Sequence, residues 1–211
     1  MYQAKNLNRV AAIAALALIG AVPAFAGSGG KVVSVPAAPS ESCLTYDFFD
    51  VQYIYTAFDH LDDGHGAGAN LSKSLFGNVY LTASGSWTST GTDWSGDADL
   101  YGASAGLGYY IPLSDRFHLN VEAGGLYGGS DGLGDDDESW GFFAGPGFRY
   151  CLNPGLELFS NVYYNRFEDG FDQWNVNVGL IADITDTVAF KLAGLLNEDD
   201  QSVLVGLRFY Y

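Results

Sequence analysis

The stretch QSVLVGLRFYY (201–211) sets Val203, Val205, Leu207, Phe209 and Tyr211 at every second position and ends on an aromatic residue. A period of two is the repeat of an extended strand, with one apolar face and one mixed face. Termini of soluble domains are usually polar and frayed. An apolar row that closes on tyrosine therefore predicts a strand whose outer face meets lipid instead of water.

The same alternation recurs upstream, most clearly in FHLNVEA (117–123), WNVNVGLIADI (174–184) and VAFKLAG (188–194). The pattern predicts about ten strands, over 48–58, 66–74, 78–87, 98–111, 117–128, 139–151, 156–167, 174–184, 188–196 and 201–211. For GAGANLSKS (66–74) only the spacing supports a strand.

The connectors alternate short and long. LFG (75–77), PLSDR (112–116), LNPG (152–155) and TDT (185–187) are tight-turn sequences. The other five, DHLDDGHG (59–66), TSTGTDWSGD (88–97), GSDGLGDDDE (129–138), EDGFDQ (168–173) and NEDD (197–200), hold 16 of the 25 acidic residues and no Lys or Arg. In an up-and-down meander every second connector lies on the same rim, so the acidic connectors share one rim and the short turns the other. Short turns on one side and longer loops on the other are the habit of a transmembrane barrel.

A soluble barrel also alternates, so the character of the second face decides. A water-facing exterior would be rich in Lys and Glu. Here that face carries Asn120, Glu122, Arg149, Asn175, Asn177, Asp183, Lys191 and Arg208 among Ser, Thr and Gly, a mixture suited to a filled, charge-paired lumen. The apolar face includes Tyr101, Leu107, Tyr109, Ile111, Val178 and Ile184. Trp87, Trp140 and Trp174 fall toward the acidic rim, and Tyr109, Phe117, Tyr150, Phe209 and Tyr211 toward the turn rim, which predicts two interfacial aromatic belts.

The N-terminal residues carry Lys5 and Arg9, an apolar run Val10–Val22, and Ala24-Phe25-Ala26. This is the pattern of a secretory signal peptide cleaved after Ala26. The expected organisation is a signal peptide (1–26), a flexible periplasmic lead-in (27–46) and a barrel (47–211). Losing two basic residues with the signal takes the net charge from −16 to −18, which argues against a nucleic-acid partner.

With its signal peptide, its alternating strands and the closing VGLRFYY, the chain resembles the small outer-membrane β-barrel proteins of Gram-negative-type bacteria, the OmpX-like and OmpA-like barrels. The resemblance covers residues 47–211. It implies an all-β antiparallel up-and-down transmembrane barrel, integral to the bacterial outer membrane. It also implies contact with outer-membrane lipid and lipopolysaccharide. In that family such a C-terminal row is a signal to the barrel-assembly machinery, and Val203, Val205, Leu207, Phe209 and Tyr211 would be that signal here. Those barrels have eight strands, whereas about ten are expected in this chain, with eight as the alternative.

Candidate chemistry is sparse. Asp59, His60, Asp62, Asp63 and His65 are of metal-ligating type, but stand in a glycine-rich loop where solvated side chains are the simpler reading. Asp135, Asp136, Asp137 and Glu138, with Asp131, could attract a divalent cation weakly but lack the spacing of a calcium loop. No cofactor is expected. His118 falls near a short turn, and His60 and His65 have no nearby serine, so a protease or a lipid A modifying enzyme is the second alternative only. The first reading is a non-enzymatic structural or surface-interaction role through the acidic loops, with a narrow cation-preferring porin-like channel as the alternative. Bulky Tyr80, Phe159, Ile181, Leu204 and Tyr210 on the inward parity argue for a blocked interior. Cys43 and Cys151 both fall at the turn rim of an exported chain, which predicts a disulfide between them, with two unpaired thiols as the alternative. No extracellular ligand is indicated.

Overall fold

The computed structural model describes residues 44–58, 63–92, 96–131, 137–198 and 200–211. These residues form ten strands: β1 (Phe48–Phe58), β2 (Gly64–Phe76), β3 (Val79–Thr92), β4 (Gly96–Ser114), β5 (Phe117–Asp131), β6 (Asp137–Asn153), β7 (Leu156–Phe167), β8 (Asp172–Asp183), β9 (Val188–Leu196) and β10 (Asp200–Tyr210). Each pairs antiparallel with the next. β1 pairs with β10 from Phe48↔Tyr210 to Phe58↔Asp200, which closes the barrel. Closure gives every strand a partner on both sides, the condition for backbone to lie in lipid. Ten strands, and not eight, is the observed number.

The short turns carry the residues their geometry needs. In Asn153-Pro154-Gly155, Gly155 has φ of 82°, a conformation open to glycine. Its carbonyl accepts a 2.8 Å bond from Asp183 N–H.

The alternation sorts the side chains as expected. Val205, Leu207, Phe209 and Tyr211 are exposed on the outer surface, with Leu107, Tyr109, Ile111, Val178 and Ile184. Toward the acidic rim, Tyr127 and Trp140 pair at 4.9 Å between ring centroids and Tyr164 and Trp174 at 5.2 Å, while Trp87 stands opposite Tyr101. Tyr109, Tyr150, Phe209 and Tyr211 occupy the other end.

Two differences from the sequence reading have physical causes. The connectors expected over 88–97 and 129–138 are partly strand: β3 and β4 stay paired out to Thr92↔Gly96, and β5 and β6 to Ser130↔Asp137. Alternation reports lipid on one face, not backbone pairing, and beyond the aromatic belt both faces are free to be polar. The second difference is the lead-in, expected to be unstructured to residue 46. Leu44 and Tyr46 are instead 6 % and 4 % exposed, folded into the turn-side mouth. The residues expected to form a signal peptide (1–26), and most of the expected lead-in, lie outside the described residues.

Candidate functional site in the barrel lumen

The interior is two chambers of different chemistry. Toward the turn rim it is filled by ion pairs. The Asp50 carboxylate accepts bonds from Lys191 Nζ at 2.7 Å, Arg208 Nε at 2.7 Å and Arg208 Nη2 at 3.0 Å. Arg149 donates to both oxygens of Glu157, from Nε at 2.6 Å and Nη2 at 2.7 Å, the paired geometry in which a guanidinium binds a carboxylate most tightly. The Phe48 ring lies under the Arg208 guanidinium at 3.4 Å. All five charged groups are buried, a burial that is tolerable only because each has an opposite charge in contact.

An apolar cluster of Ile54, Phe159, Ile181, Ala189, Ala193 and Leu204 fills the wall beside these pairs. Above them Glu122 accepts the hydroxyls of Tyr80 at 2.6 Å and Tyr163 at 2.7 Å, and Asn120 Nδ2 donates to Asn161 Oδ1 at 3.0 Å. Tyr80 is 2 % exposed and fits because Gly108 faces it: a Cβ there would lie 2.1 Å from the tyrosine ring.

The mouth below this floor is stoppered by the end of the lead-in. The Tyr46 ring stacks on Tyr110 at 4.4 Å and 8° and sits 4.6 Å from the Arg149 guanidinium. Ser72 donates to the Tyr46 carbonyl at 2.6 Å, and Arg149 Nη1 donates to the Thr45 carbonyl. Asp47 pairs with Lys73 Nζ at 3.1 Å and accepts the Ser74 N–H at 2.8 Å. Burial acts to raise the Asp47 carboxyl, and the Ser74 N–H and the Lys73 ammonium more than offset it, so the group is held below the usual carboxylate range. The Tyr211 hydroxyl donates to the Ser72 carbonyl at 2.9 Å, so both ends of the barrel sequence meet at this mouth.

Toward the acidic rim the lumen opens into a vestibule of about 500 Å³, against about 110 Å³ left in the floor. The blocked interior expected from the sequence therefore holds for one half only. Part of the vestibule wall is small and neutral, as in the pairs Thr56–Ser202 at 2.9 Å and Ser84–Ser104 at 2.7 Å, with Gly85 and Gly102 beside them, while Leu126, Phe143 and Glu122 line it as well.

Many of the residues of metal-ligating type lie beyond what the structure describes. Asp59, His60 and Asp62 lie outside the described residues, as do Asp135 and Asp136. His65 is not a loop residue: it stands on the outer surface of β2, where its Nδ1 meets the Tyr53 hydroxyl, and Tyr55 donates to Asp63 at 2.5 Å. Among the described residues no group of three or more His, Cys, Asp or Glu is arranged to hold a metal. His118, placed near a turn by the sequence, is buried and stacked on Tyr110 at 5.1 Å. Cys151 is 2 % exposed and not a free thiol, while Cys43 lies outside the described residues. Tyr46 escaped the sequence reading altogether, since a lone tyrosine ahead of the first strand carries no periodic signal.

The model of the family described as "Outer membrane protein beta-barrel domain" matches residues 12–182. No curated relative matches the chain. An outer membrane channel from Pseudomonas putida F1 is similar in fold, at 11% identity over 83% of this chain and 100% of that one, with a TM-score of 0.52. The NanC porin gives 10% identity over 77% and 100% of the two chains, with a TM-score of 0.49. The attachment invasion locus protein Ail of Yersinia pestis gives 12% identity over 78% and 95%, with a TM-score of 0.41.

Proposed function

Because the chain belongs to the outer membrane protein beta-barrel domain family, we propose that it is a closed, non-catalytic barrel of the bacterial outer membrane that works by surface recognition at its acidic rim. The observation that carries this reading is the floor. Asp50, Lys191 and Arg208, together with Arg149 and Glu157, fill the turn-side half of the lumen, and Tyr46 caps it from below. A charged network with every ion paired resists rearrangement, because opening a path means separating buried ions. Planar-bilayer recordings of the purified protein test it: the expected trace has no stepwise openings, and cation-selective steps would overturn the closed reading.

Such steps would favour a narrow cation-preferring channel. The observation in favour of that second reading is the vestibule, open on the acidic side, where negative charge concentrates cations.

The remaining proposals concern assembly and contacts. Outer-membrane lipid meets the apolar outer face, lipopolysaccharide the outer rim, and divalent cations bind the acidic connectors weakly. Val203, Val205, Leu207, Phe209 and Tyr211 serve as the signal to the barrel-assembly machinery. Deleting residues 209–211 is expected to abolish outer-membrane fractionation and heat-modifiable migration, and a truncated chain that keeps both would remove the signal. A disulfide from Cys43 to Cys151 would anchor the stopper, and mass spectrometry of unreduced peptides from exported protein tests that bond.

A further inference from the structure

We propose that the vestibule is a binding site for an aliphatic polyamine entering from the acidic side. The inference deepens the surface-recognition reading by naming a ligand class, and rests on its outward-open vestibule.

The argument starts from hydrogen-bond sign. Two side chains more than nine-tenths buried hold oxygen acceptors with no partner: Gln52 Oε1 on the vestibule wall and Asn120 Oδ1 in the floor beneath it. Asn177 Oδ1, on a half-buried side chain that borders both chambers, is also unpartnered. Buried acceptors normally find a donor. An amide oxygen accepts only, so its complement must carry N–H or O–H groups.

Charge then selects among donors. Glu122 borders both chambers, and its two described partners are the neutral hydroxyls of Tyr80 and Tyr163. The floor cations Lys191, Arg208 and Arg149 are paired with Asp50 and Glu157, and of the three only Lys191 also borders the vestibule, its charge offset by Asp50. Around the mouth, Asp63, Asp131, Glu138, Glu168, Asp169 and Asp172 are all exposed, and the described base nearest to them is Arg166. A low-dielectric funnel with an acidic mouth raises the local concentration of cations and repels anions. An ammonium group is a pure donor with positive charge, the complement of the unpartnered amide oxygens of Gln52 and Asn177 and of the Glu122 carboxylate, all of which border the vestibule. The methylene chain between ammonium groups has its own complement in Phe143 and Leu126 on the same wall.

Calorimetry on the full-length folded barrel in detergent, with spermidine as the probe, decides the matter. Magnesium chloride at matched ionic strength supplies charge without N–H donors, and maltotriose supplies neutral donors. Spermidine is expected to bind once per barrel and to survive magnesium. Gln52→Leu and Glu122→Gln should each weaken it by about tenfold, the size of one hydrogen bond to a charged group. Heat-modifiable migration confirms that each variant is folded, and Gln52→Leu alone carries the test if Glu122→Gln is not.

Spermidine binding that magnesium abolishes and Gln52→Leu leaves unchanged would reduce the site to rim counterions and overturn the proposal. Maltotriose binding in place of spermidine would overturn the ligand class, and no binding of either would overturn the site. Calorimetry does not depend on whether the floor conducts. A conducting barrel that binds spermidine would sink the closed reading and keep this one, and a silent barrel that binds nothing would do the reverse.

Discussion

The floor and the vestibule are built from the same ten strands with the same inward parity, yet one is packed with paired charges and the other holds about 500 Å³ of open space. The difference lies in side-chain length. Near the turn rim the inward positions include Asp50, Arg149, Glu157, Lys191 and Arg208, long charged side chains that pair with a neighbouring strand or the next but one and fill the space between. Near the acidic rim they include Thr56, Ser84, Ser104 and Ser202, which reach only the adjacent strand. The comparison teaches that barrel circumference does not decide whether a small lumen is blocked; the length of its inward side chains does.

Breaking the floor should cost far more than breaking the vestibule. Asp50→Ala leaves Lys191 and Arg208 buried around no carboxylate, and is expected to destabilise by about 3–5 kcal/mol. Urea unfolding in detergent measures it, and a loss below about 1 kcal/mol would mean that water already screens the floor.

Arg149→Leu strands Glu157 and releases the Thr45 carbonyl, with an expected loss of about 3 kcal/mol. It also removes the cation above Tyr46, so current steps should appear in bilayers where the parent protein is silent. A silent, folded Arg149→Leu barrel would show that the stopper does not depend on this residue.

In the vestibule, Thr56→Val removes one bond between two neutral hydroxyls, that to Ser202. The expected loss is about 1 kcal/mol or less, read in the same unfolding experiment. A value as large as that for Asp50→Ala would erase the distinction between the halves.

The smallest effect belongs to the stopper's edge. The lowered Asp47 carboxyl contributes stability that is complete above its unfolded pKa, near pH 4. That contribution fades as the pH falls through the lower folded value. Asp47→Asn should therefore be less stable than the parent at pH 6, with the gap in unfolding midpoint closing toward pH 2. A gap that persists in acid would assign the effect to the Ser74 bond and not to charge.

Much of this was legible in the residues. The limits of β1, β7 and β9 follow from alternation alone, because a lipid face admits almost no polar residue and so marks its length in the sequence. The upper ends of β3 to β6 were not legible, because paired backbone with two polar faces leaves no periodic trace. Of the site, the inward parity of Arg149, Lys191 and Arg208 could be read, and so could the need for partners.

The partners themselves could not be read. Asp50 and Lys191 stand 141 residues apart and Arg149 and Glu157 only eight; the partner of each depends on strand order and stagger around a closed barrel. Tyr46 had no periodic signal because it lies outside every strand, and its stacking on Tyr110 arises only where the lead-in meets the closed mouth. The sequence by itself determined strand facing and belt positions, since these are set by a local period of two against lipid and water, while the choice of ten strands over eight came from the closed barrel. The tertiary structure alone decided which charges meet, which half of the lumen stays open and what stoppers the other, since these depend on distances across a closed ring that no local pattern encodes.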